Sequence, residues 1–266
     1  MVGETVAAKL STWGWREGKP GAAPVKKTGV ALRISNVTFG HMKPVSHTAP
    51  ARPGRMRLLA EMAGIYLLAP LCAYVLVHMA GVPLLGVLGP VFLLFILILA
   101  FDRTFIWRDL LGTRVSKAEF VSIFRLFAVL GSGILVFAYL WSPQNFVSFP
   151  RRTPELWLAV MFLYPVISVT AQEIMYRVVF AHRYLALFGG NLVFAVLVNA
   201  ILFAYSHLIF ESWITIIVSF AGGLIFAHRY FSSRSFWGVC LEHALYGNLI
   251  FTSGLGTYFF TGVPFG

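Results

Sequence analysis

Seven apolar stretches follow one another after about residue 57, separated by short polar or glycine-rich breaks. At a rise of 1.5 Å per residue, a helix of about 20 apolar residues crosses the roughly 30 Å hydrocarbon core of a bilayer. The pattern therefore predicts an all-α, polytopic transmembrane helical bundle of about seven helices. The predicted helices cover residues 58–80, 83–101, 121–141, 155–182, 191–210, 212–230 and 235–252. The fourth is long for one crossing, so we expect its end to bend or to project beyond the hydrocarbon.

The same pattern divides the chain into four parts. Residues 1–57 are rich in Lys, Arg, Gly, Pro, Ser and Thr without a helical or strand period, which predicts a disordered, basic cytoplasmic tail. Residues 58–154 hold the first three helices, residues 155–252 hold the other four, and residues 253–266 form a C-terminal tail. The apolar run begins too late for a cleavable secretory signal at this N-terminus.

Composition and charge support a membrane protein. Hydrophobic residues make up 58% of the 266 residues and charged residues only 12%, whereas a soluble domain carries roughly a quarter. An ordinary soluble enzyme is therefore excluded. The net charge of +11 arises largely in the tail, where ten of the 21 Lys and Arg residues precede residue 58. Few aromatic residues are interleaved there, so we expect membrane lipid as the partner and no nucleic acid.

Lysine and arginine positions also predict orientation. With the tail inside, every Lys and Arg except Arg151 and Arg152 falls on the inner side of the predicted helices. This predicts a cytoplasmic N-terminus in a multi-pass protein of the cell inner (plasma) membrane. The two cysteines, Cys72 and Cys240, lie in apolar stretches and give neither a disulfide framework nor a metal spacing. We predict no cofactor and no metal.

Polar side chains within the membrane point to a functional site in the second half of the chain. Ionisable groups at bilayer depth are costly, so each is a functional hypothesis. The fourth, fifth and seventh predicted helices carry most of the polar and ionisable side chains at this depth. They are Gln172, Glu173 and Arg177 on the fourth, Asn199, Ser206 and His207 on the fifth, and Glu242, His243, Tyr246 and Asn248 on the seventh.

The spacing of these residues suggests how they meet. Glu173 and Arg177 are four residues apart and share a helix face, so they can form an ion pair. In that case Glu173 has a structural role instead of a catalytic one. A turn at residues 189–191, Gly-Gly-Asn, places Glu173 and His207 equally far from Gly190 on antiparallel helices. A carboxylate and an imidazole at one depth can hold and deprotonate a water molecule. Another histidine can stabilise the oxyanion formed when that water attacks a peptide carbonyl.

The order of these motifs resembles the CPBP family of CAAX proteases and bacteriocin-processing enzymes, also called the ABI family of glutamic intramembrane proteases. Its motifs are Glu-Glu-x-x-x-Arg, Phe-x-x-x-His and His-x-x-x-Asn or Asp on successive membrane helices. The resemblance covers about residues 155–252. Here the motifs are Gln172-Glu173-x-x-x-Arg177, Phe203-x-x-x-His207, and His243 followed closely by Asn248.

The resemblance implies a metal-free intramembrane endopeptidase, a hydrolase acting on a membrane-associated or lipid-anchored peptide or protein. In that family the first Glu and the second-motif His activate water, and the third motif forms the oxyanion site. Carried over, His207 orients the water, His243 stabilises the oxyanion and Arg177 holds Glu173. Phe203 would pack beside the site.

Two positions depart from the family pattern. The first glutamate is replaced by Gln172, whose amide cannot act as a base. Either Glu173 has become the base, or the chain is a non-catalytic pseudoprotease or membrane scaffold. Position 247 is Gly, and Asn248 is about 140° from His243 on an α-helix. Asn248 thus faces the site only if the helix bulges at Gly247; otherwise Tyr246 is the better donor.

The same residue types also occur in two other functional classes. Two histidines and a glutamate can bind catalytic zinc, but the His-Glu-x-x-His motif is absent from the sequence. A proton-coupled transporter would use Glu173, Glu242 and the histidines as a relay. Its usual paired broken helices are not found in the pattern of residues 58–154. The protease remains the predicted function.

Overall fold

The protein is described by a computed structural model of residues 54–260, apart from the side chains of Leu85 and Asp109. Within this range the chain forms helices and turns and no β-strand. Most of the tail predicted at 1–57 and the end of the C-terminal tail lie outside the described residues. Seven long helices account for most of the described part: α1 (Arg55–His78), α2 (Leu84–Phe101), α3 (Lys117–Trp141), α4 (Pro154–Arg183), α5 (Leu192–Ser206), α6 (Trp213–Ser233) and α7 (Phe236–Ser253). Short helices cover Trp107–Leu111 and Ser148–Arg152, and 3₁₀ turns cover Pro143–Asn145, Leu185–Phe188, His207–Phe210 and Leu255–Phe259.

The prediction of an all-α polytopic membrane protein is confirmed, with a correction to the number of spanning helices. Between residues 54 and 260, five helices are long and apolar enough to cross a membrane: α1, α3, α4, α5 with its 3₁₀ turn, and α6. The apolar part of α2, Gly86–Phe101, is shorter. Helix α7 carries Glu242, His243 and Asn248, and this polar content keeps it outside the group.

The long fourth helix contains two π turns, at Tyr164–Val169 and Ile174–Val179. Each π turn adds residues to the helix without adding a full α turn and changes which side chains share a face. Pro165 lies in the first of them, where its missing N–H removes one helical hydrogen bond. The two turns bracket Glu173 and so decide where its side chain points.

The turn between α4 and α5 is the one predicted from the sequence. Gly189 and Gly190 both have positive φ, 58° and 86°, which glycine adopts without strain. The side chain of Asn191 caps α5 by accepting a hydrogen bond from the backbone N–H of Phe194. Helices α4 and α5 therefore form an antiparallel hairpin.

Close helix contacts surround this hairpin. A Cβ atom at Gly223 of α6 would lie 2.9 Å from the Cα of Ala200 on α5, so the glycine allows α5 and α6 to approach closely. Helix α3 packs on α7 at Gly131, beside Leu249. From α1, the buried Tyr66 hydroxyl donates to the carbonyl of Met175 at 2.6 Å. Helices α4 to α7 thus form the centre of the bundle.

Two arginines lie in equivalent positions of the sequence Phe-Ala-His-Arg-Tyr, which occurs at 180–184 and 226–230. Arg183 binds both oxygens of Glu61 on α1, at 2.6 and 2.9 Å, and Tyr184 donates to the same carboxylate. Arg229 likewise binds both oxygens of Glu242 on α7. Each copy of the sequence therefore ties its helix to another by an arginine–carboxylate fork.

Candidate active site

A cavity of about 900 Å³ lies among the helices. Most of its lining is apolar, and residues such as Phe92 of α2 and Ile134 of α3 belong to it. Polar side chains are concentrated where α4, α5 and α7 meet. They are Tyr164, Ser168, Thr170, Gln172, Tyr176, Ser206, His207, His243 and Tyr246, with Ser219 on α6. The cavity is therefore a mostly apolar space with a polar end.

Glu173 lies behind this polar end, against His243. Its Oε1 is 2.7 Å from Nδ1 of His243, and the glutamate has no exposed surface. Because a carboxylate only accepts, Nδ1 carries the hydrogen and the other ring nitrogen, Nε2, points away from Glu173. The ring also stacks on Phe226 of α6, with centroids 4.5 Å apart. Glu173 and Phe226 together fix the orientation of His243.

The second carboxylate oxygen of Glu173 faces Arg177. Nε of Arg177 is 3.4 Å from Oε2, and both side chains are fully buried. This is the ion pair that the i, i+4 spacing predicts. Nη1 of Arg177 donates to Oδ1 of Asn199 on α5 at 2.8 Å, and the guanidinium lies 4.6 Å from the centroid of the Phe203 ring. The Asn199 amide in turn donates to the carbonyl of Tyr176, so Asn199 links the buried charge pair to α5.

Tyr164, which the sequence analysis did not identify, is the other partner of His243. Its hydroxyl is 3.1 Å from Nε2, so it donates to the lone pair of that nitrogen. The phenol ring lies against Gly247 of α7, where a Cβ atom would be 2.6 Å from the ring carbon Cζ. In the sequence, only Gly247 could have indicated this contact, because a glycine four residues after His243, on the same helix face, leaves room for a bulky neighbour. Glu173, His243 and Tyr164 form a continuous hydrogen-bonded chain that reaches the cavity.

His207 begins the 3₁₀ turn that follows α5. Its Nδ1 is 2.8 Å from the carbonyl oxygen of Phe203; since a carbonyl only accepts, this nitrogen carries the hydrogen. The lone pair is therefore on Nε2, for which the described residues provide no hydrogen-bond partner. The Phe203 ring packs edge-on against the imidazole, with centroids 4.6 Å apart. Phe203 thus lies beside the site and positions His207 through its backbone.

Gln172 lines the cavity, whereas Glu173 does not. The Gln172 amide nitrogen donates to Ser168 at 2.8 Å, and its Oε1 is buried without a hydrogen-bond partner. The position that the family fills with its first glutamate is therefore a glutamine that lines the same cavity as His207. The carboxylate of Glu173 contacts His243. The equal distances of Glu173 and His207 from Gly190 had predicted a contact with His207 instead.

Tyr246 and Asn248 point in different directions because α7 is a regular α-helix. The helix continues as an α-helix through Gly247, without the bulge that would turn Asn248 toward the site. Asn248 instead donates to the carbonyl of Met161 on α4 at 3.2 Å and does not line the cavity. Tyr246 does line it, and its hydroxyl is buried without a partner. Of the two alternatives for this helix, Tyr246 is the residue at the cavity.

Metal-binding side chains are not grouped in the described range. Residues 54–260 contain no cluster of three or more His, Cys, Asp or Glu residues able to hold a metal ion.

Comparison with known proteins finds one matching family. Residues 154–249 match the family model Rce1-like, described as type II CAAX prenyl endopeptidase Rce1-like. That stretch contains α4, α5, α6, most of α7 and every predicted site residue. No curated protein and no solved structure matches the chain. This multi-pass membrane protein therefore carries, at residues 154–249, an Rce1-like domain of the CPBP family, a family of membrane proteases.

Proposed function

We propose that the protein is an intramembrane endopeptidase that hydrolyses a peptide bond of a membrane-associated or lipid-anchored protein with an activated water molecule. The observation that carries the proposal is the chain of Glu173, His243 and Tyr164, which ends in the same cavity as His207 and Gln172. A polar end next to an apolar space suits a scissile bond held beside the lipid-facing part of a substrate.

His207 is the proposed general base. Its Nε2 lone pair takes one proton of the water, and the unpaired Oε1 of Gln172 accepts the other hydrogen and orients the attacking oxygen. The oxygen bonds to the peptide carbonyl carbon and forms a tetrahedral oxyanion. His207 then gives its proton to the amide nitrogen, the C–N bond breaks, and the products are an acid and an amine.

The other histidine serves the oxyanion. When the His243 ring is protonated, Nε2 no longer accepts the Tyr164 hydrogen. The Tyr164 hydroxyl and Nε2–H of His243 can then both donate to the oxyanion. Glu173, hydrogen-bonded to Nδ1, stabilises the positive imidazolium, as the aspartate does in a Ser-His-Asp triad. The sequence predicted that Glu173 deprotonates the water directly. Its contacts with His243 and Arg177 support an action through His243 instead.

The proposal is tested with purified protein in phospholipid vesicles and a library of acyl-anchored peptides, with cleavage products identified by mass spectrometry. His207→Ala should lower kcat/KM by about 100-fold or more, the usual contribution of a positioned base. His182→Ala, a histidine on α4 outside the cavity, is the matched control and should leave kcat/KM unchanged. Equal activity of His207→Ala and the wild type would overturn the assignment.

The alternative is a pseudoprotease of the same fold, and one observation favours it: the family's first glutamate is Gln172 in this cavity. Gln172→Glu separates the two functions. If the wild type binds the peptides but cleaves none, and Gln172→Glu gains cleavage, the chain is a binding protein. If the wild type cleaves and Gln172→Ala keeps a measurable fraction of its activity, the amide only orients the water.

We further propose that the protein lies in the cell inner (plasma) membrane with its N-terminus in the cytoplasm. The distribution of Lys and Arg along the chain supports this orientation. Labelling of single cysteines placed next to Arg114 and next to Arg152 with a membrane-impermeant reagent tests it. Labelling from outside should reach the second position and not the first.

A further inference from the structure

The 3₁₀ turn Leu255–Phe259 follows α7, outside the residues that match the family model, and adds Leu255 and Phe259 to the cavity lining. It begins at Gly254, whose φ is +97°. A Cβ atom there would lie 2.9 Å from the carbonyl carbon of Asn145. Both the positive φ and this close approach require glycine, and they turn the chain back over the end of the bundle.

Two hydrogen bonds hold the turn across the bundle. Thr215 of α6 is fully buried and donates its hydroxyl to the carbonyl of Tyr258. Trp141 of α3 donates its indole N–H to the Tyr258 hydroxyl at 3.0 Å. Tyr258 therefore connects α3 to α6, and the segment has a defined position.

Phe259 follows this anchor and lies beside the proposed base. Its ring centroid is 6.3 Å from that of His207 and 6.0 Å from that of Phe210. Leu255, of which 3% is exposed, and Val218 continue the same wall, and Ser219 of α6 lies next to them in the lining. Phe259, Leu255 and Val218 thus form an apolar part of the cavity lining next to His207, which we call the recess.

We propose that this recess is a substrate subsite and that Phe259, from the C-terminal turn, is its end wall. The proposal rests on the proposed peptidase function. The recess takes the apolar side chain of a residue next to the scissile bond, and the ring of Phe259 limits how large that side chain is. Phe259 is a specificity-determining residue and takes no part in proton transfer.

The activity test compares acyl-anchored peptides that differ at a single residue beside the observed cleavage site, Ala against Trp. A changed pocket contact shifts discrimination by about 10- to 200-fold, so Phe259→Ala should raise the ratio of kcat/KM for Trp over Ala by about tenfold or more. Phe259→Leu, which keeps an apolar wall, should restore most of the wild-type preference. The control is Phe260→Ala at the next residue, which does not line the cavity.

A second measurement does not depend on cleavage. In a Cys72→Ser background, Ser219→Cys places a thiol in the recess, where Ser219 is 4% exposed. Phe259→Ala should speed its reaction with a soluble maleimide about tenfold, whereas Phe260→Ala should not. If Phe259→Ala labels faster but the wild type cleaves no peptide, the peptidase function is refuted, while Phe259 is still shown to border the recess. Unchanged side-chain preference and unchanged labelling in Phe259→Ala would overturn the proposal.

Discussion

The contact between Gly247 and Tyr164 is the most direct test of how the site is built. Gly247→Ala adds one methyl group to α7. That methyl group would lie 2.6 Å from Cζ of Tyr164, and still closer to Cε1 and the hydroxyl oxygen. Real Cβ atoms do not approach other atoms so closely, so the phenol ring must move away from His243.

The expected size of the effect follows from three contributions. Overpacking of a tight contact costs about 1–3 kcal/mol. Loss of the hydrogen bond between Tyr164 and His243 adds about 0.5–1.5 kcal/mol. The better helix propensity of Ala returns up to about 1 kcal/mol. Gly247→Ala should therefore lower the free energy of unfolding by about 0.5–3.5 kcal/mol.

Unfolding in mixed detergent micelles measures this change. Gly133→Ala on α3 is the matched control, because a Cβ atom there meets no other atom within 4 Å, and it should leave the free energy unchanged or raise it slightly. Tyr164→Ala makes room for the added methyl group. A double-mutant cycle should then show a coupling of about 1–3 kcal/mol. Strict additivity of Gly247→Ala and Tyr164→Ala would refute the reasoning.

Two other predictions concern the buried charges. Asn199→Leu removes the partner of Arg177 Nη1 and leaves that donor buried. The free energy of unfolding should therefore fall by about 1–3 kcal/mol or more. A smaller loss than in Asn191→Ala, which removes a helix cap, would contradict this. Glu242→Gln leaves the charge of Arg229 without its carboxylate, with an expected loss below about 3 kcal/mol because Arg229 is 13% exposed. The double variant Glu242→Gln/Arg229→Gln removes the unpaired charge and should recover part of that loss. A double variant as unstable as Glu242→Gln would show that the unpaired charge of Arg229 is not the cause.

Much of the architecture is readable from local features of the chain. Hydrophobic segment lengths predict the helices, and two glycines followed by Asn191 predict the hairpin. The spacing of Glu173 and Arg177 predicts their ion pair. All of these depend on neighbours within a few residues, where geometry follows directly from the sequence.

The partner of Glu173 could not be predicted in the same way. Depth along a helix follows from counting residues, but the direction of a side chain depends on the helix phase. The π turns on both sides of Glu173 change this phase, and no sequence rule locates such turns. The ring of Tyr164 was missed because its role arises only from packing on Gly247, which is distant in sequence. Asn248 illustrates the reverse case, since the bulge needed to turn it toward the cavity does not form.

The ion pair between Arg229 and Glu242 also has a consequence for how the protein enters the membrane. Helix α7 is not apolar enough to cross a bilayer by itself, and its fully buried Glu242 would then lie unpaired in lipid. The loop between α6 and α7 is only Arg234 and Ser235, so the two helices can enter the bilayer together as a hairpin with the charges already paired. Insertion of α7 would thus depend on an arginine carried by the helix before it.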